Sequence, residues 1–224
     1  MKKILFLMDD INYRGGAHFV TFNICNLLKE NGNDVSIYSL TKPNQETYQY
    51  LTDGIHFAKS KNFEHYEYVV VPFENSIFKE EVANLKKIKK IQWIHIDYDE
   101  WAKKTKANLE NERKIYKCYD KIIFVSKGAE DSFVKYFPEY KDKCKVIYNI
   151  LDTNLIRKKA EIKLGEEFHI KHNECLNILL VGRLEPQKNY NRIIDVAKIL
   201  KEQQININWY ILGKGYQYSE LKKR

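Results

Sequence analysis

The strongest constraint on the fold of this chain is an alternation of short apolar runs with segments of helical periodicity. The first 150 residues contain six runs typical of β-strands, namely KILFLM, DVSIYSL, YEYVVVPF, KIQWIH, KIIFVS and KVIYN. Strands that alternate with helices predict βαβ units. Continuous apolar stretches such as YVVV and IIFV suit strands that are buried on both faces. The sequence therefore predicts an α/β fold built on a doubly wound parallel sheet.

The alternation is interrupted once and then resumes, which predicts a second domain. Residues 154–175 are charged and weakly periodic, so we interpret them as a connector between a first domain (1–153) and a second (176–224). The second segment holds the strands LNILLVG and INWYILG with one helix between them. Because domains usually run to about 100–150 residues, we expect the second domain to be incomplete and the chain to be a fragment of a longer protein.

Composition excludes several classes of protein. The chain has 38 basic and 30 acidic side chains, a formal net charge of +8, and 4 prolines and 9 glycines among 224 residues. Disordered and collagen-like proteins contain far more proline and glycine. A membrane span needs roughly 20 apolar residues in a row, and no apolar run in this sequence approaches that length. The basic residues are dispersed, so nucleic-acid binding is the weakest interpretation. The cysteines show no metal-ligand or disulfide spacing, so we expect reduced thiols in a cytoplasmic protein.

Residues 180–190, LVGRLEPQKNY, place two cations where an anion can bind. The predicted strand ends at Gly182, so Arg183 lies at the carboxyl edge of the sheet, where open α/β sheets bind ligands. Lys188 precedes Asn189, a candidate N-cap, and a helix N-terminus attracts anions. An arginine fork and a lysine ammonium suit a diphosphate that gains negative charge as it leaves. The alternative is a polar loop with two ordinary surface cations.

Four segments, in order along the chain, resemble one enzyme family. VGRLEPQKN and the later WYILGKGYQYSELKK are similar to the donor-binding half of the family 4 glycosyltransferases, which are of the GT-B type. YRGGAHFVTFNICNLLKENGNDVSIYS resembles the opening of that family, and IFVSKGAEDSF and VIYNILD resemble its later landmarks. The resemblance covers almost the whole chain. It implies a Rossmann-like N-terminal domain on the acceptor side and the first part of a second Rossmann-like domain that binds a nucleotide-sugar.

The resemblance also implies roles for particular residues. Arg183 and Lys188 would hold the diphosphate of the donor and stabilise it as it departs, and Gly213 would join them in binding the donor. Gly15 and Gly16 would bring backbone N–H groups close to the phosphate or the acceptor. Glycine permits such an approach because it lacks a Cβ.

Four more candidates follow from the first domain. His95 resembles a histidine that the family uses near the donor sugar, although a rim histidine with partners of its own is the alternative. Asp97, Tyr148 and Asn149 would lie on the acceptor side. Asp97 and Asp99 form a D-Y-D triplet of the kind that holds Mg²⁺ or Mn²⁺ against a diphosphate. The GT-B resemblance makes a metal unnecessary, because arginine and lysine supply the positive charge, so we predict neither metal nor cofactor.

The sequence departs from the family pattern in two places. Ile150 stands where the family usually has glycine, which leaves the detail of that turn open. The E-x7-E segment that contacts the donor sugar and ribose is not among the 224 residues. We therefore expect weak donor binding and no turnover by this chain alone.

Aromatic and basic residues interleave in DSFVKYFPEYKDKCK and EWAKKTKANL. On one exposed face they would suit peripheral contact with the anionic inner face of a membrane, with lysines at headgroups and aromatic rings at the interface. The alternative is a solvated helix face.

The combined prediction is a retaining, metal-independent hexosyltransferase when full length. It would move a sugar from a UDP- or GDP-linked donor to a hydroxyl of a glycan or lipid-linked acceptor in polysaccharide or glycoconjugate biosynthesis. The alternative is a non-catalytic module that holds an acceptor or partner in its N-terminal domain.

Overall fold

The computed structural model describes residues 1–163, 165 and 175–223, and within them the chain divides into two compact units, Met1–Arg157 and Lys158–Arg224. The first unit is built on a seven-stranded sheet. Its strands are β1 (Lys3–Met8), β2 (Asp34–Ser39), β3 (His56–Phe57), β4 (Tyr68–Val71), β5 (Lys89–Ile94), β6 (Lys121–Phe124) and β7 (Cys144–Val146).

All neighbouring strands of this sheet are parallel, and they lie in the order β3-β2-β1-β4-β5-β6-β7. The chain thus starts at the centre of the sheet, builds outward through β2 and β3, and then returns to β4 and builds in the other direction. This is the doubly wound α/β sheet that the alternation of apolar runs predicts.

Helices cover both faces of the sheet. The helices between the strands are α1 (Gly16–Glu30), α2 (Gln45–Tyr48), α3 (Phe78–Ala83), α4 (Tyr98–Thr105), α5 (Leu109–Lys117) and α6 (Lys127–Val134), and α7 (Thr153–Ala160) follows the last strand. Successive residues of β1 point to opposite faces: Leu5 and Leu7 join a cluster with α3 to α6, whereas Phe6 and Met8 join a second cluster with α1. Both faces of the sheet are therefore buried, as the runs of consecutive apolar residues require.

The predicted connector is partly helical. Helix α7 occupies the start of the segment 154–175 and crosses the boundary between the two units, and none of its residues is buried. Without a buried face it needs no regular apolar pattern, which is why the segment has weak periodicity. The rest of the predicted connector lies largely outside the described residues.

The second unit contains a two-stranded parallel sheet. Its elements are β8 (Leu176–Val181), α8 (Tyr190–Glu202), β9 (Ile207–Leu212) and α9 (Tyr218–Leu221). Strands β8 and β9 are paired in register from Leu176 opposite Ile207 to Val181 opposite Leu212. The βαβ unit predicted for this segment is confirmed.

A buried ion pair joins the helices on one face of the first unit. The ammonium group of Lys79 on α3 lies 2.8 Å from each carboxylate oxygen of Glu112 on α5, and the two side chains are 10% and 11% exposed. Tyr98 on α4 donates its hydroxyl proton to Glu112 at 3.2 Å, and Tyr119 donates to the backbone carbonyl of Lys79 at 2.8 Å. These contacts satisfy both charges inside an otherwise apolar layer.

Removing one partner of this pair should destabilise the first unit strongly, because the other charge remains buried without compensation. We expect Lys79→Met to lower the free energy of unfolding by about 3–5 kcal/mol, measured by urea denaturation with tryptophan fluorescence. The double variant Lys79→Met/Glu112→Leu should recover most of the loss. Lys114→Met, which breaks an exposed pair with Glu110, is the control and should change stability little. Equal losses in the buried and exposed single variants would contradict this account.

Candidate functional site

The first candidate region lies at the carboxyl edge of the seven-stranded sheet, in the loop after β1. Gly15 holds the N-cap position of α1 with an extended backbone, and Gly16 is the first helical residue. A Cβ on Gly16 would meet no atom within 4 Å, whereas a Cβ on Gly15 would lie 2.7 Å from Cε1 of Tyr13. The backbone at Gly16 is therefore open to approach, and Gly15 makes room for the tyrosine ring.

His95 follows β5 directly at the same edge. Its backbone N–H donates to Oε2 of Glu74 at 3.2 Å, and its ring lies 6.3 Å from that of Phe73 and 6.5 Å from that of Trp93. Burial lowers the pKa of His95 to about 4, although a hydrogen bond to the carbonyl of Pro72 opposes the shift. The imidazole is consequently neutral at pH 7 and can exchange hydrogen bonds without carrying charge.

Two polar residues beside His95, Glu74 and His18, are not among the candidates predicted from the sequence. Glu74 is 9% exposed, and burial raises the pKa of its carboxyl group. His18 lies in the first turn of α1, where its ring stacks on Phe73 with 4.4 Å between centroids. Both residues come within a few positions of a predicted strand end or glycine turn, which was the available signal. Their contacts with Phe73 and His95 depend on strands far apart in sequence.

The D-Y-D triplet has a role in the fold. Oδ1 of Asp97 accepts the backbone N–H groups of Asp99 and Glu100 at 2.9 and 3.1 Å, which caps the N-terminus of α4. Asp99 forms an ion pair with Lys103 at 2.7 Å and accepts the hydroxyl proton of Tyr136. Helix capping and ion pairing thus account for both carboxylates.

Tyr148 and Asn149 follow β7 at the same carboxyl edge, and both are exposed. The next residue, Ile150, is held in place because the side-chain amide of Asn23 on α1 donates to its carbonyl at 3.0 Å. The fold thus places the predicted acceptor-side residues on the edge that carries Gly16 and His95.

The predicted diphosphate clamp lies in the second unit, in the loop between β8 and α8. Arg183 is exposed, and its Nη1 lies 2.7 Å from Oε2 of Glu185, while its Nη2 donates to Gln187 at 3.3 Å. Lys188 ends a single 3-10 turn (Pro186–Lys188) and is exposed. The fork of Arg183 is therefore already paired, and any anion must compete with the carboxylate of Glu185.

A left-handed residue and one hydrogen bond fix the shape of this loop. Asn189 occupies the N-cap position, as predicted, but its backbone is left-handed (φ 52°) and its side chain caps no N–H group. Tyr190 at the start of α8 donates its hydroxyl proton to the carbonyl of Gly182 at 3.1 Å. The strand end and the helix start are thereby tied together around Lys188.

Gly213 and Gly215 bring the loop after β9 against the loop after β8. The backbone N–H of Leu184 donates to the carbonyl of Lys214 at 2.9 Å. A Cβ on Gly213 would lie 1.8 Å from the carbonyl oxygen of Gly182, and one on Gly215 would lie 2.3 Å from that of Leu184. Both positions require glycine for this backbone contact, whatever further role Gly213 has toward a donor.

The aromatic residues expected on a membrane-facing surface lie instead in the core. Phe133 and Phe137 are fully buried and Tyr140 is 8% exposed, and Trp101 packs against the same apolar cluster. The prediction that the rings of Phe133, Phe137 and Tyr140 reach a bilayer interface is wrong, because they lie on the side of α6 and its following turn that packs into the core. Among the described residues, no helix has the length and apolar character needed to cross a bilayer.

Comparison with known proteins supports the resemblance seen in the motifs. Residues 166–224 match the family model described as "Glycosyl transferases group 1". The chain is 22% identical to the amylovoran biosynthesis glycosyltransferase AmsD of Erwinia amylovora, over 100% of this chain and 65% of that protein. A stretch of 109 residues, 48% of the chain, is 33% identical to 27% of the N-acetylgalactosamine-N,N'-diacetylbacillosaminyl-diphospho-undecaprenol 4-alpha-N-acetylgalactosaminyltransferase of Campylobacter jejuni.

Solved structures agree on the fold. The chain superposes on the Anabaena protein HepE, solved in complex with UDP and glucose, with a TM-score of 0.65 and 14% identity, over 100% of this chain and 64% of that one. The chain therefore shares its α/β fold with HepE, and the resemblance to glycosyltransferases predicted from the four motifs is confirmed by the family match and the similar proteins. The chain spans less than two thirds of the length of the curated relatives that it matches.

Replacing Gly213 should loosen the second unit, because the added methyl group collides with the carbonyl oxygen of Gly182. We expect Gly213→Ala to raise the rate of limited proteolysis within residues 175–223 severalfold. Mass spectrometry of the fragments measures this rate. Gly16→Ala is the matched control, since a Cβ there meets nothing within 4 Å. Unchanged proteolysis in Gly213→Ala would contradict the close backbone contact.

The buried, neutral His95 should make stability fall as the solution is acidified. The unfolded chain binds a proton near pH 6.5, but the folded chain binds it only near pH 4, so between these values the unfolded state is favoured by acid. We expect the wild type to lose roughly 1–3 kcal/mol more than His95→Gln between pH 7 and pH 4.5, measured by urea denaturation. His56→Gln, at an exposed histidine on β3, should behave as wild type. An NMR titration that gives His95 an ordinary pKa would refute the argument.

Proposed function

We propose that this chain is the acceptor-side domain and the start of the donor-binding domain of a glycosyltransferase. The whole enzyme moves a sugar from a nucleoside diphosphate to a hydroxyl of a glycan or lipid-linked acceptor, in polysaccharide or glycoconjugate biosynthesis. The observation that carries the proposal is the family match over 166–224, the segment that contains the loop of Arg183 and Lys188 at the carboxyl edge of β8. The names of the Erwinia and Campylobacter relatives support the same class of product.

The donor is held, in this proposal, by the loop between β8 and α8. A departing diphosphate gains negative charge, and the two exposed cations can neutralise it without a bound metal. UDP is the favoured nucleotide, because HepE was solved with UDP and glucose, and GDP is the alternative. Retention of the anomeric configuration and independence from metal belong to the same proposal.

In this proposal, the diphosphate replaces Glu185 as the ion-pair partner of Arg183. In the chain without donor, the carboxylate at 2.7 Å keeps the guanidinium oriented. A diphosphate offers more negative charge and can displace that carboxylate. Because the pair is exposed to solvent, breaking it costs little.

The acceptor is proposed to bind at the carboxyl edge of the first unit. Gly16, His95, Asp97, Tyr148 and Asn149 all follow the strand ends there. The buried and neutral His95 suits contact with sugar hydroxyls, which carry no charge. The undecaprenol-linked substrate in the Campylobacter relative's name favours a lipid-linked acceptor, and with it a cytoplasmic enzyme that touches the inner face of the membrane through lysines.

Calorimetric titration with UDP, GDP, ADP and CMP tests the donor site directly. We expect UDP binding by the wild type, with Arg183→Ala and Lys188→Ala each weakening it about tenfold or more, since a lost charge-assisted hydrogen bond is worth about 1.5–3 kcal/mol. Glu185→Gln should bind UDP at least as tightly as the wild type, because the competing carboxylate is gone.

Arg157→Ala is the matched control, since it removes the same charge from α7 in the other unit. Equal binding by Arg183→Ala and Arg157→Ala would reject the clamp. Tight binding of GDP in place of UDP would retain the clamp and change the nucleotide.

A further inference from the structure

His18 has one ring nitrogen that the fold leaves without a partner. Its Nε2 lies 3.1 Å from the backbone carbonyl oxygen of Asp10. Its Nδ1 is buried and has no hydrogen-bond partner among the residues that the structure describes. A buried polar atom without a partner costs stability, and this one lies at the candidate ligand edge, where a ligand can supply the partner.

The contact with Asp10 decides which ring nitrogen carries the proton. A carbonyl oxygen accepts hydrogen bonds and cannot donate them, so Nε2 must carry the hydrogen. Burial lowers the pKa of His18, which keeps the second nitrogen unprotonated. Nδ1 is therefore a fixed hydrogen-bond acceptor that lacks a donor.

The charged groups nearest to His18 are engaged elsewhere. Asp10 accepts the hydroxyl proton of Thr41 at 2.6 Å and the N–H of Asn12, and Asp9 accepts the hydroxyl proton of Ser76 at 2.7 Å. Arg14 donates to Thr47, Asn44 and the carbonyl of Ile11, and it pairs with Glu46. None of these contacts uses Nδ1, so the nearest charged groups supply it with no hydrogen-bond donor.

The surroundings of Nδ1 suit a ligand with an apolar face. The imidazole stacks on Phe73 on one side, and the ring of Tyr13 lies 5.1 Å away on a tilt. Tyr13 is 54% exposed, so it can move without disturbing the core. An added Cβ on Gly15 would lie 3.6 Å from Nδ1 and 2.7 Å from Tyr13. Tyr13, the bare Cα of Gly15 and Nδ1 thus meet at one point.

We propose that His18 binds a sugar. Its Nδ1 accepts a hydrogen bond from a hydroxyl group of the sugar, and the ring of Tyr13 moves to pack on the sugar. The ligand must donate a hydrogen bond, which a fully ionised phosphate cannot do. The ligand also carries no negative charge near Nδ1, because the nearby carboxylates of Asp9 and Asp10 would repel it. A glycan or glycoside meets both conditions. This inference rests on the proposed function and assigns to it a sugar-binding residue outside the set predicted from the sequence.

The test uses the whole 224-residue chain with ¹⁵N-labelled histidine. Methyl α-D-glucopyranoside and methyl 2-acetamido-2-deoxy-α-D-galactopyranoside are titrated in while the imidazole nitrogen resonances are recorded. We expect at least one of the two to shift the Nδ1 resonance of His18, because a free ring nitrogen becomes hydrogen-bonded.

Two substitutions separate the acceptor atom from the anchoring contact. His18→Gln places an amide N–H near the position of Nε2 and nothing at that of Nδ1, so we expect its affinity for the glycoside to fall about tenfold. His18→Asn places an amide oxygen near Nδ1 and should retain part of the affinity. His56→Gln, on the outer strand β3, should bind as wild type, and the urea midpoints of all three variants establish that they are folded.

Two results would overturn the proposal: equal glycoside affinity of His18→Gln and wild type, or unmoved His18 resonances with both glycosides at their solubility limit. UDP binding by the same variants distinguishes the two levels of inference. Overturned sugar binding with intact, Arg183-dependent UDP binding removes the role of His18 and leaves the glycosyltransferase assignment in place.

Discussion

The parallel pairing of β1 with β2 and β4 is the constraint on which the rest of the first unit depends. Parallel strands carry all their carboxyl ends to one edge of the sheet. The residues after β1, β4, β5 and β7, separated by up to 140 positions along the chain, therefore meet at one edge. His18 and His95 reach the same aromatic side chain, Phe73, for this reason. The site is a consequence of topology before it is a consequence of any single motif.

Burial then divides the polar residues of the two units into different chemical kinds. His18 and His95 are desolvated and uncharged at neutral pH, so they can recognise hydroxyl groups. Arg183 and Lys188 are exposed and charged, so they can recognise phosphate. The proposed transfer of a sugar from a diphosphate to a hydroxyl would require both kinds of recognition. In that proposal, the two units supply complementary chemistry, each from the carboxyl ends of its own parallel strands.

Most of the fold could be predicted from the sequence, because buried strands and amphipathic helices leave periodic patterns. Helix α7 left none, since it buries no side chain, and β3 has only two residues. Arg183 and Lys188 could be proposed as site residues from the sequence because a strand end and a helix start mark their position. His18 and Glu74 were missed, since what sets them apart is burial by residues that are distant in sequence. Side-chain environments of this kind arise from packing and leave no local pattern.

The interleaved aromatic and basic residues show why such a pattern misleads. In the segment after β6, Phe137 is buried, and Arg113 lies over its ring at 5.3 Å while its Nε pairs with Glu139 at 2.6 Å. Arg113 thus covers the edge of an apolar cluster, and its positive charge is paired with a carboxylate of the same protein. Lys79 does the same at the centre of that layer. Basic side chains thus stabilise the fold by covering aromatic rings while they pair with carboxylates. The net charge of +8 already counts the acidic partners of Arg113 and Lys79, so the positive excess comes from other basic side chains, not from these two.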